Sequence, residues 1–223
     1  KLAKFAKGNS KLVIPKIYWE FSHPAVLTME YIAGTPLHQV SGTNGNVRQI
    51  AADLCQAILQ QMLRGGFFHA DPHPGNVLIL PEGKIGLIDF GIVGELSAAM
   101  KMQTLALISG MIRGDYDLIF KALAQMGIVP DSVVRDDLQK DIAGLRRKHL
   151  KIAGKKPGLG ESIGEFFDII YRHRIIIPGE YILIGKTLLT LEGALRELDP
   201  EFNLIDQAKP FSRGLVWKTL WTR

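Results

Sequence analysis

The feature that most constrains this sequence is a proline-stiffened polar loop followed at once by a short apolar hairpin. The loop covers residues 69–76 and reads His-Ala-Asp-Pro-His-Pro-Gly-Asn. Apolar runs at 77–80 and 85–88 predict two strands joined by the tight turn Pro-Glu-Gly-Lys, and Asp89-Phe90-Gly91 follows directly. Because a hairpin returns the chain to the end from which it started, Asp89 is expected to lie beside Asn76.

Oxygen-bearing side chains at this spacing suit phosphoryl transfer. A nucleotide carries clustered negative oxygens, so a protein must hold Mg²⁺ with hard oxygen ligands and place one carboxylate near the nucleophile. Kinase-like proteins use His-Arg-Asp, four residues, Asn, a hairpin and Asp-Phe-Gly for this purpose. Here His69-Ala70-Asp71 is followed by the same order at the same spacing. We therefore predict an ATP–Mg²⁺ site in which Asp71 is the catalytic carboxylate and Asn76 and Asp89 are the metal ligands.

Two further parts of this site are predicted by position. His73 stands where protein kinases carry a lysine near the transferred phosphate, so we predict a catalytic and nucleotide-binding role for its protonated form. Upstream, Met29-Glu30-Tyr31-Ile32 ends an apolar stretch before Ala-Gly, as a kinase hinge follows its gatekeeper. We predict that Met29 is the gatekeeper and that the Glu30 carbonyl and Ile32 amide bind the adenine edge.

Simpler interpretations stay open for these residues. Asp-Phe-Gly can be a mere turn at the end of a strand. The pattern His-x-Asp-x-His, formed by His69, Asp71 and His73, could instead bind a transition metal, although Asp89 has no role in such a site. The basic run between residues 146 and 156 is predicted to be a solvated helix face and loop. A lipid or nucleic-acid patch is its alternative, and we predict no nucleic-acid partner.

The rest of the chain predicts two β-rich stretches followed by helices. The stretches cover residues 12–18 and 25–32, with a turn at 22–24 between them, and Gly34 and Pro36 end the second. Apolar residues at three- and four-residue spacing predict a helix from Val47 to Met62, stopped by Gly65 and Gly66. Further helices are predicted at 97–114, 115–126, 131–151, 161–173 and 178–198, with a flexible break at 154–160.

Composition is that of a folded globular domain, with 47% hydrophobic and 22% charged residues. The single cysteine, Cys55, excludes an intramolecular disulfide and is predicted to be a buried structural thiol. No apolar run reaches the roughly 20 residues that span a bilayer, so we expect this chain to be soluble. The net charge of +5 permits attraction to phosphates or an anionic membrane surface without requiring either.

The sequence resembles the UbiB family of atypical kinases associated with ubiquinone biosynthesis. The similarity rests on residues 67–76 and 88–94, and it continues through Leu-Leu-Thr-Leu-Glu-Gly at 188–193 and Leu-Asp-Pro at 198–200. It implies a protein-kinase-like α+β fold, ATP and Mg²⁺ binding, and ATPase activity. It also implies a lipid- or quinone-related small molecule as partner, and association with a membrane or membrane protein at the cytoplasmic face of a bacterial inner membrane or its organelle equivalent.

The resemblance further implies that the sequence comes from a longer protein, the parent protein. The family's Lys-x-Gly-Gln extension, alanine-rich nucleotide loop and β3 lysine are expected before residue 1. We predict that residues 1–32 are a remnant of N-lobe strands and hinge. Residues 33–223 are predicted to be a mostly helical C-lobe whose small hairpin carries the metal site. By itself this fragment is expected to be inactive and to bind ATP weakly.

Peptide kinase activity is disfavoured by the sequence after Gly91. No long activation segment and no Ala-Pro-Glu anchor precede the helices, and peptide substrates dock on that segment. We expect a small molecule or water as the nucleophile. The alternatives are a small-molecule kinase that resembles aminoglycoside or choline phosphotransferases, and a pseudokinase scaffold switched by nucleotide.

Overall fold

The fold is mostly helical, with small sheets, which confirms the predicted α+β class. The computed structural model describes residues 1–40, 47–113, 115–126, 129–130, 133–151 and 159–211. The helices are α1 (Leu2–Ala6), α2 (Val47–Gln60), α3 (Ala98–Arg113), α4 (Tyr116–Gln125), α5 (Arg135–Lys151), α6 (Leu159–Arg172) and α7 (Gly179–Leu198), and residues 204–211 are helical as well. The strands are β1 (Leu12–Val13), β2 (Thr35–Pro36), β3 (Phe67–His69), β4 (Val77–Ile79), β5 (Ile85–Leu87) and β6 (Val93–Glu95).

The predicted hairpin of β4 and β5 is confirmed. The strands are antiparallel, with Val77 opposite Leu87, and they form the centre of a sheet with the order β1-β5-β4-β2. Glu82 and Gly83 in the connecting turn have φ of +62° and +70°, the left-handed region that glycine adopts without strain. The tight turn aligns the start of β4 with the end of β5.

A second antiparallel pair, β3 with β6, lies on either side of this hairpin in the chain. Phe68 is opposite Gly94, and His69 is opposite Val93. A side chain at Gly94 would place its Cβ 2.2 Å from the Phe68 ring, so the close approach of these strands requires glycine. Sequence analysis did not predict β6, because it has only three residues and includes that glycine.

The two β-rich stretches predicted at 12–18 and 25–32 are mostly not strands. Only Leu12–Val13 forms one, and it pairs in parallel with β5. Beyond it, residues 16–30 form a narrow arm with two isolated antiparallel bridges, Ile17–Met29 and His23–Val26, the second of which closes a turn. Pro15 offers no N–H to a ladder, and most large apolar side chains of the arm are exposed, so little holds a longer ladder together.

The region predicted to end the second stretch is itself a strand. Thr35 and Pro36 form β2, at the edge of the sheet, where Thr35 is opposite Ile79 of β4. An edge strand tolerates proline because one side of its backbone needs no partner. Gly34 lies immediately before β2, and a Cβ there would come within 3.0 Å of Leu78.

Helix α2 confirms the helix that the apolar periodicity predicted, and it buries one face. It buries Ile50, Leu54 and Ile58, continues as a π-helical turn at Gln61–Gly65, and ends at Gly66 with φ of +73°. Cys55 on this helix is fully buried, which confirms its prediction, and burial raises the pKa of its thiol to about 12.

The C-terminal helices follow the predicted order with shifted boundaries. Ser97 caps α3 by accepting a hydrogen bond from the Met100 N–H. Helix α5 begins at Arg135 instead of residue 131, α6 begins at Leu159, and Pro178 is the N-cap of α7 instead of a first-turn residue. Residues 114, 127, 131 and 152–158, and the side chains of the basic run, lie outside the described residues.

Within the described residues the buried apolar side chains form two clusters. The first joins α2, β3–β5 and α7 through residues such as Leu54, Phe68 and Leu191. The second joins α4, α5 and α6 through Leu123 and Leu138 among others. Among the helices described in full, none is both long and apolar enough to cross a membrane.

Candidate active site

The loop between β3 and β4 is folded by its own backbone. The His73 N–H donates to the Asp71 carbonyl, and the Asn76 N–H donates to the His73 carbonyl, both at 2.8 Å. A 3₁₀ turn at Pro74–Asn76 then leads into β4. Two successive tight turns thus bring Asn76 back to Asp71.

Asn76 is fixed by a side-chain hydrogen bond across the loop. Its Nδ2 donates to the Asp71 carbonyl at 3.2 Å. Because the amide nitrogen is used in this way, the amide oxygen is the atom left for another ligand. An amide oxygen is a hard donor of the kind that Mg²⁺ binds.

Asp89 lies next to Asn76 across the hairpin. The Ile88 N–H donates to the Asn76 carbonyl at 3.0 Å, so Asp89 directly follows the residue paired with Asn76. Asp89 has φ of +55°, which is uncommon for a residue other than glycine. Its Oδ1 accepts a hydrogen bond from the Gly91 N–H at 3.1 Å, which orients the carboxylate and leaves Oδ2 for a ligand. The hard-oxygen donors of Asn76 and Asp89 therefore fit a magnesium ion that keeps several waters.

His69 lies behind the loop and is fully buried. Its Nδ1 accepts a hydrogen bond from the Asp71 N–H at 3.4 Å, and its ring lies 5.1 Å from the Phe90 ring, centroid to centroid. Burial lowers the pKa of His69, while the backbone at Ile92 and the charges of Asp71 and Asp89 oppose this effect. The ring is therefore neutral at neutral pH, and its Nδ1 accepts the hydrogen bond that orients the loop at Asp71.

His73 is exposed beside the loop. Its Nδ1 accepts a hydrogen bond from the Gly75 N–H at 3.2 Å, a bond that requires an unprotonated Nδ1. Its Nε2 can still donate to a phosphate from the neutral ring. The phosphate contact that was predicted for its protonated form stays a prediction.

The predicted hinge residues run over the hairpin. The Ile32 side chain lies against Gly86 of β5, where a Cβ would be 3.0 Å from it. The Glu30 N–H donates a hydrogen bond to the Lys16 carbonyl. The Glu30 carbonyl and the Ile32 N–H make no backbone hydrogen bond to another described residue. Met29 is 42% exposed. Adenine binding by these groups stays a prediction.

The transition-metal alternative receives no support. Among the described side chains, no group of three or more His, Cys, Asp or Glu is arranged to hold a metal ion. The Nδ1 atoms of His69 and His73 both accept backbone hydrogen bonds instead. The predicted magnesium site is of a different kind, because it has only one such side chain, Asp89, together with the Asn76 amide and water.

Two residues that support the loop were missed by sequence analysis. Gln61 accepts a hydrogen bond from the His69 N–H at 3.1 Å through its side-chain oxygen. The Thr187 hydroxyl lies 3.1 Å from the Ala70 carbonyl. The sequence signal for both is a polar residue at a buried position of an apolar helical face, in the π-helical turn after α2 and in α7.

Two family models match this chain. The model of the ABC1 atypical kinase-like domain matches residues 1–123, a range that contains every predicted site residue. The model of the UbiB helical domain matches residues 144–203, which include α6 and α7.

One solved structure with a similar fold is the Rv3197–erythromycin complex from Mycobacterium tuberculosis. It has a TM-score of 0.50 and 20% sequence identity over 90% of this chain. The match covers 56% of that protein, so this chain spans little more than half its length.

Proposed function

Because this chain belongs to the UbiB family of ABC1 atypical kinase-like proteins, we propose that its parent protein cleaves ATP in a magnesium-dependent reaction. The γ-phosphoryl group passes to water or to a small molecule. The observation that carries this proposal is the adjacency of Asn76 and Asp89 across the β4–β5 hairpin, with Asp71 bonded to the Asn76 side chain.

The residues divide the chemistry among them. The Asn76 amide oxygen and the Asp89 carboxylate would hold Mg²⁺, which would supply charge neutralisation at the transferred phosphate. Asp71 orients the nucleophile and accepts its proton. His73 Nε2 donates to a phosphate oxygen. The Glu30 carbonyl and Ile32 amide bind the adenine edge, with Met29 as gatekeeper.

A nucleophile other than a peptide is favoured by the path of the chain after Asp-Phe-Gly. Strand β6 begins at Val93, and α3 begins at Ala98. Peptide substrates of kinases dock on a long activation segment. The stretch between Gly91 and α3 is instead short and paired with β3, which leaves no such docking segment there.

The setting of the reaction is proposed from family membership. We propose that the sequence is the C-lobe part of a longer protein, which agrees with the 56% coverage of the similar solved chain. The parent protein acts in, or supports, quinone or isoprenoid-lipid metabolism at a membrane.

Steady-state ATP hydrolysis by the parent protein tests the proposal. We expect Asp71→Asn and Asp89→Asn each to lower kcat by at least about 100-fold. Asp89→Asn should also raise the Mg²⁺ concentration needed for half-maximal rate, whereas Asp71→Asn should not. Asp137→Asn, an exposed carboxylate on α5 paired with Lys140, is the matched control and should leave turnover unchanged. Equal turnover in all four proteins would reject an enzymatic role.

A further inference from the structure

The peptide group between Ala70 and Asp71 is held at both ends by side chains. Its N–H donates to His69 Nδ1 at 3.4 Å, and its carbonyl lies 3.1 Å from the Thr187 hydroxyl. Because this group is planar, the two contacts fix the rotation of the whole plane. That rotation sets φ of Asp71, and so the direction in which the Asp71 carboxylate leaves the loop.

Thr187 comes from a distant part of the chain. It lies on α7, within the region that matches the UbiB helical domain, 117 residues after Ala70. Its side chain is fully buried, and Ile184 and Leu188 on the same helix are also buried. The Thr187 hydroxyl supplies a hydrogen-bond donor to the loop, which valine, an apolar side chain of the same shape, would lack.

The hydroxyl has a local partner as well. It lies 2.8 Å from the Leu183 carbonyl one turn earlier, the usual partner of a threonine inside a helix. A hydroxyl has one proton, so the Leu183 and Ala70 carbonyls share it in a three-centre hydrogen bond. The Ala70 carbonyl depends on this shared proton, because it would otherwise be buried beside an apolar helix without a donor.

Helix α7 is a rigid support for such a contact. Leu191 and Leu195 anchor it in the first cluster together with α2 and β3–β5. The Ala70 N–H donates to the Ile92 carbonyl at 3.1 Å, so the same residue is also tied to the chain just after Asp-Phe-Gly. Ala70 therefore connects the catalytic loop to two other parts of the fold: the segment after Asp89, through Ile92, and helix α7, through Thr187.

We propose that Thr187 is a positioning residue for Asp71, through which the helical domain sets the direction of the catalytic carboxylate. The inference rests on the proposed function, because it assumes that Asp71 acts on the nucleophile. In the described part of the chain, the hydrogen bonds of the Thr187 hydroxyl go to Ala70 and Leu183 and not to Asn76 or Asp89. Loss of its hydroxyl should therefore impair turnover without impairing nucleotide or metal binding.

The test compares ATP hydrolysis by the parent protein with Thr187→Val and Thr187→Ser. Valine keeps the shape and removes the hydroxyl, whereas serine keeps the hydroxyl. We expect Thr187→Val to lower kcat about tenfold, because small displacements of a catalytic group lower the rate strongly. KM for Mg-ATP should change less than about twofold, and Thr187→Ser should recover most of kcat.

Thr104→Val is the matched control. Thr104 is a buried threonine on α3, and its hydroxyl has no hydrogen-bond partner among the described residues. The same change of side chain at this position should leave kcat unaltered. Melting temperatures are recorded for every variant. If Thr187→Val is unfolded, Thr187→Cys, which keeps the size and weakens the hydrogen bond, replaces it.

The outcomes separate this inference from the proposed function. Wild-type kcat in Thr187→Val, or an equal loss in Thr187→Val and Thr187→Ser, would overturn the positioning role while leaving the ATPase proposal intact. A raised KM with unchanged kcat would overturn it too. A parent protein that does not hydrolyse Mg-ATP at all would instead overturn the proposed function.

Discussion

His69 is the residue on which several contacts of the site converge. Its Nδ1 accepts a hydrogen bond from the Asp71 N–H, and its backbone N–H donates to the Gln61 side-chain oxygen. Its ring lies against the Phe90 ring. The neutral ring is required in this position, because a proton on Nδ1 would break the bond to Asp71. The protonation state of one buried histidine is thus linked to the shape of the loop.

This linkage predicts a pH dependence of stability. In the folded state burial keeps the pKa of His69 below the ordinary value of 6.5, which the unfolded chain regains. Below that value the unfolded state binds more protons than the folded state, so the free energy of unfolding falls as the pH falls. Above it, the contribution of the neutral ring is fully present.

Urea unfolding at about pH 8 and about pH 5 checks this expectation. His69→Asn keeps an acceptor oxygen near the place of Nδ1 and cannot be protonated. We expect the wild type to lose more stability than this variant on acidification. His38→Asn, at an exposed position, should behave as the wild type does. The same pH dependence in wild type and His69→Asn would contradict the account.

At the scale of elements, the pair β3–β6 depends on a glycine. A Cβ at Gly94 would lie 2.2 Å from the Phe68 ring, and both strands flank the catalytic loop. We expect Gly94→Ala to lower the free energy of unfolding by about 1–3 kcal/mol through overpacking. Gly164→Ala on α6, where a Cβ meets nothing within 4 Å, should raise it by about 0.5–1 kcal/mol. Denaturant unfolding measures both, and a neutral Gly94→Ala would show that the strands can separate freely.

Elements with a strong local pattern could be predicted from the sequence. The period of α2, the turn between β4 and β5 and the serine cap of α3 each depend on neighbouring residues. Strands β2 and β6 could not be predicted, because each is defined by its partner, β4 or β3, and not by its own two or three residues. The arm at residues 16–30 was misjudged for the same reason: its β-forming residues have little sheet to join.

In the candidate site, too, features set by neighbouring residues could be predicted, whereas contacts with distant residues could not. Spacing alone predicted that Asp71, Asn76 and Asp89 lie close together, because a loop and a hairpin are local structures. Thr187 lies 117 residues from Ala70, so no local pattern relates the two. Sequence reasoning found the groups proposed for the chemistry and missed the side chains that hold them.

At the scale of the whole molecule, the predicted adenine contact is open to solvent. Met29 is 42% exposed and Tyr31 is 89% exposed, and the neighbouring arm exposes Trp19 and Phe21. A nucleotide held only from this side keeps much of its surface in water. We therefore expect this 223-residue chain to bind Mg-ATP with a Kd weaker than about 100 μM in calorimetry. Nanomolar affinity would contradict this expectation.

The central claim is that Asn76 and Asp89 hold one divalent ion. Mn²⁺ prefers the same oxygen ligands as Mg²⁺, and it broadens the NMR signals of nearby nuclei. In a Mn²⁺ titration of the ¹⁵N-labelled chain, the amide signals of residues 71, 76 and 89 should weaken first. Asp89→Asn removes the carboxylate proposed to hold the ion and should abolish this preference, whereas Asp137→Asn should preserve it. Broadening no stronger there than at the exposed Asp137, or unchanged by Asp89→Asn, would contradict the claim.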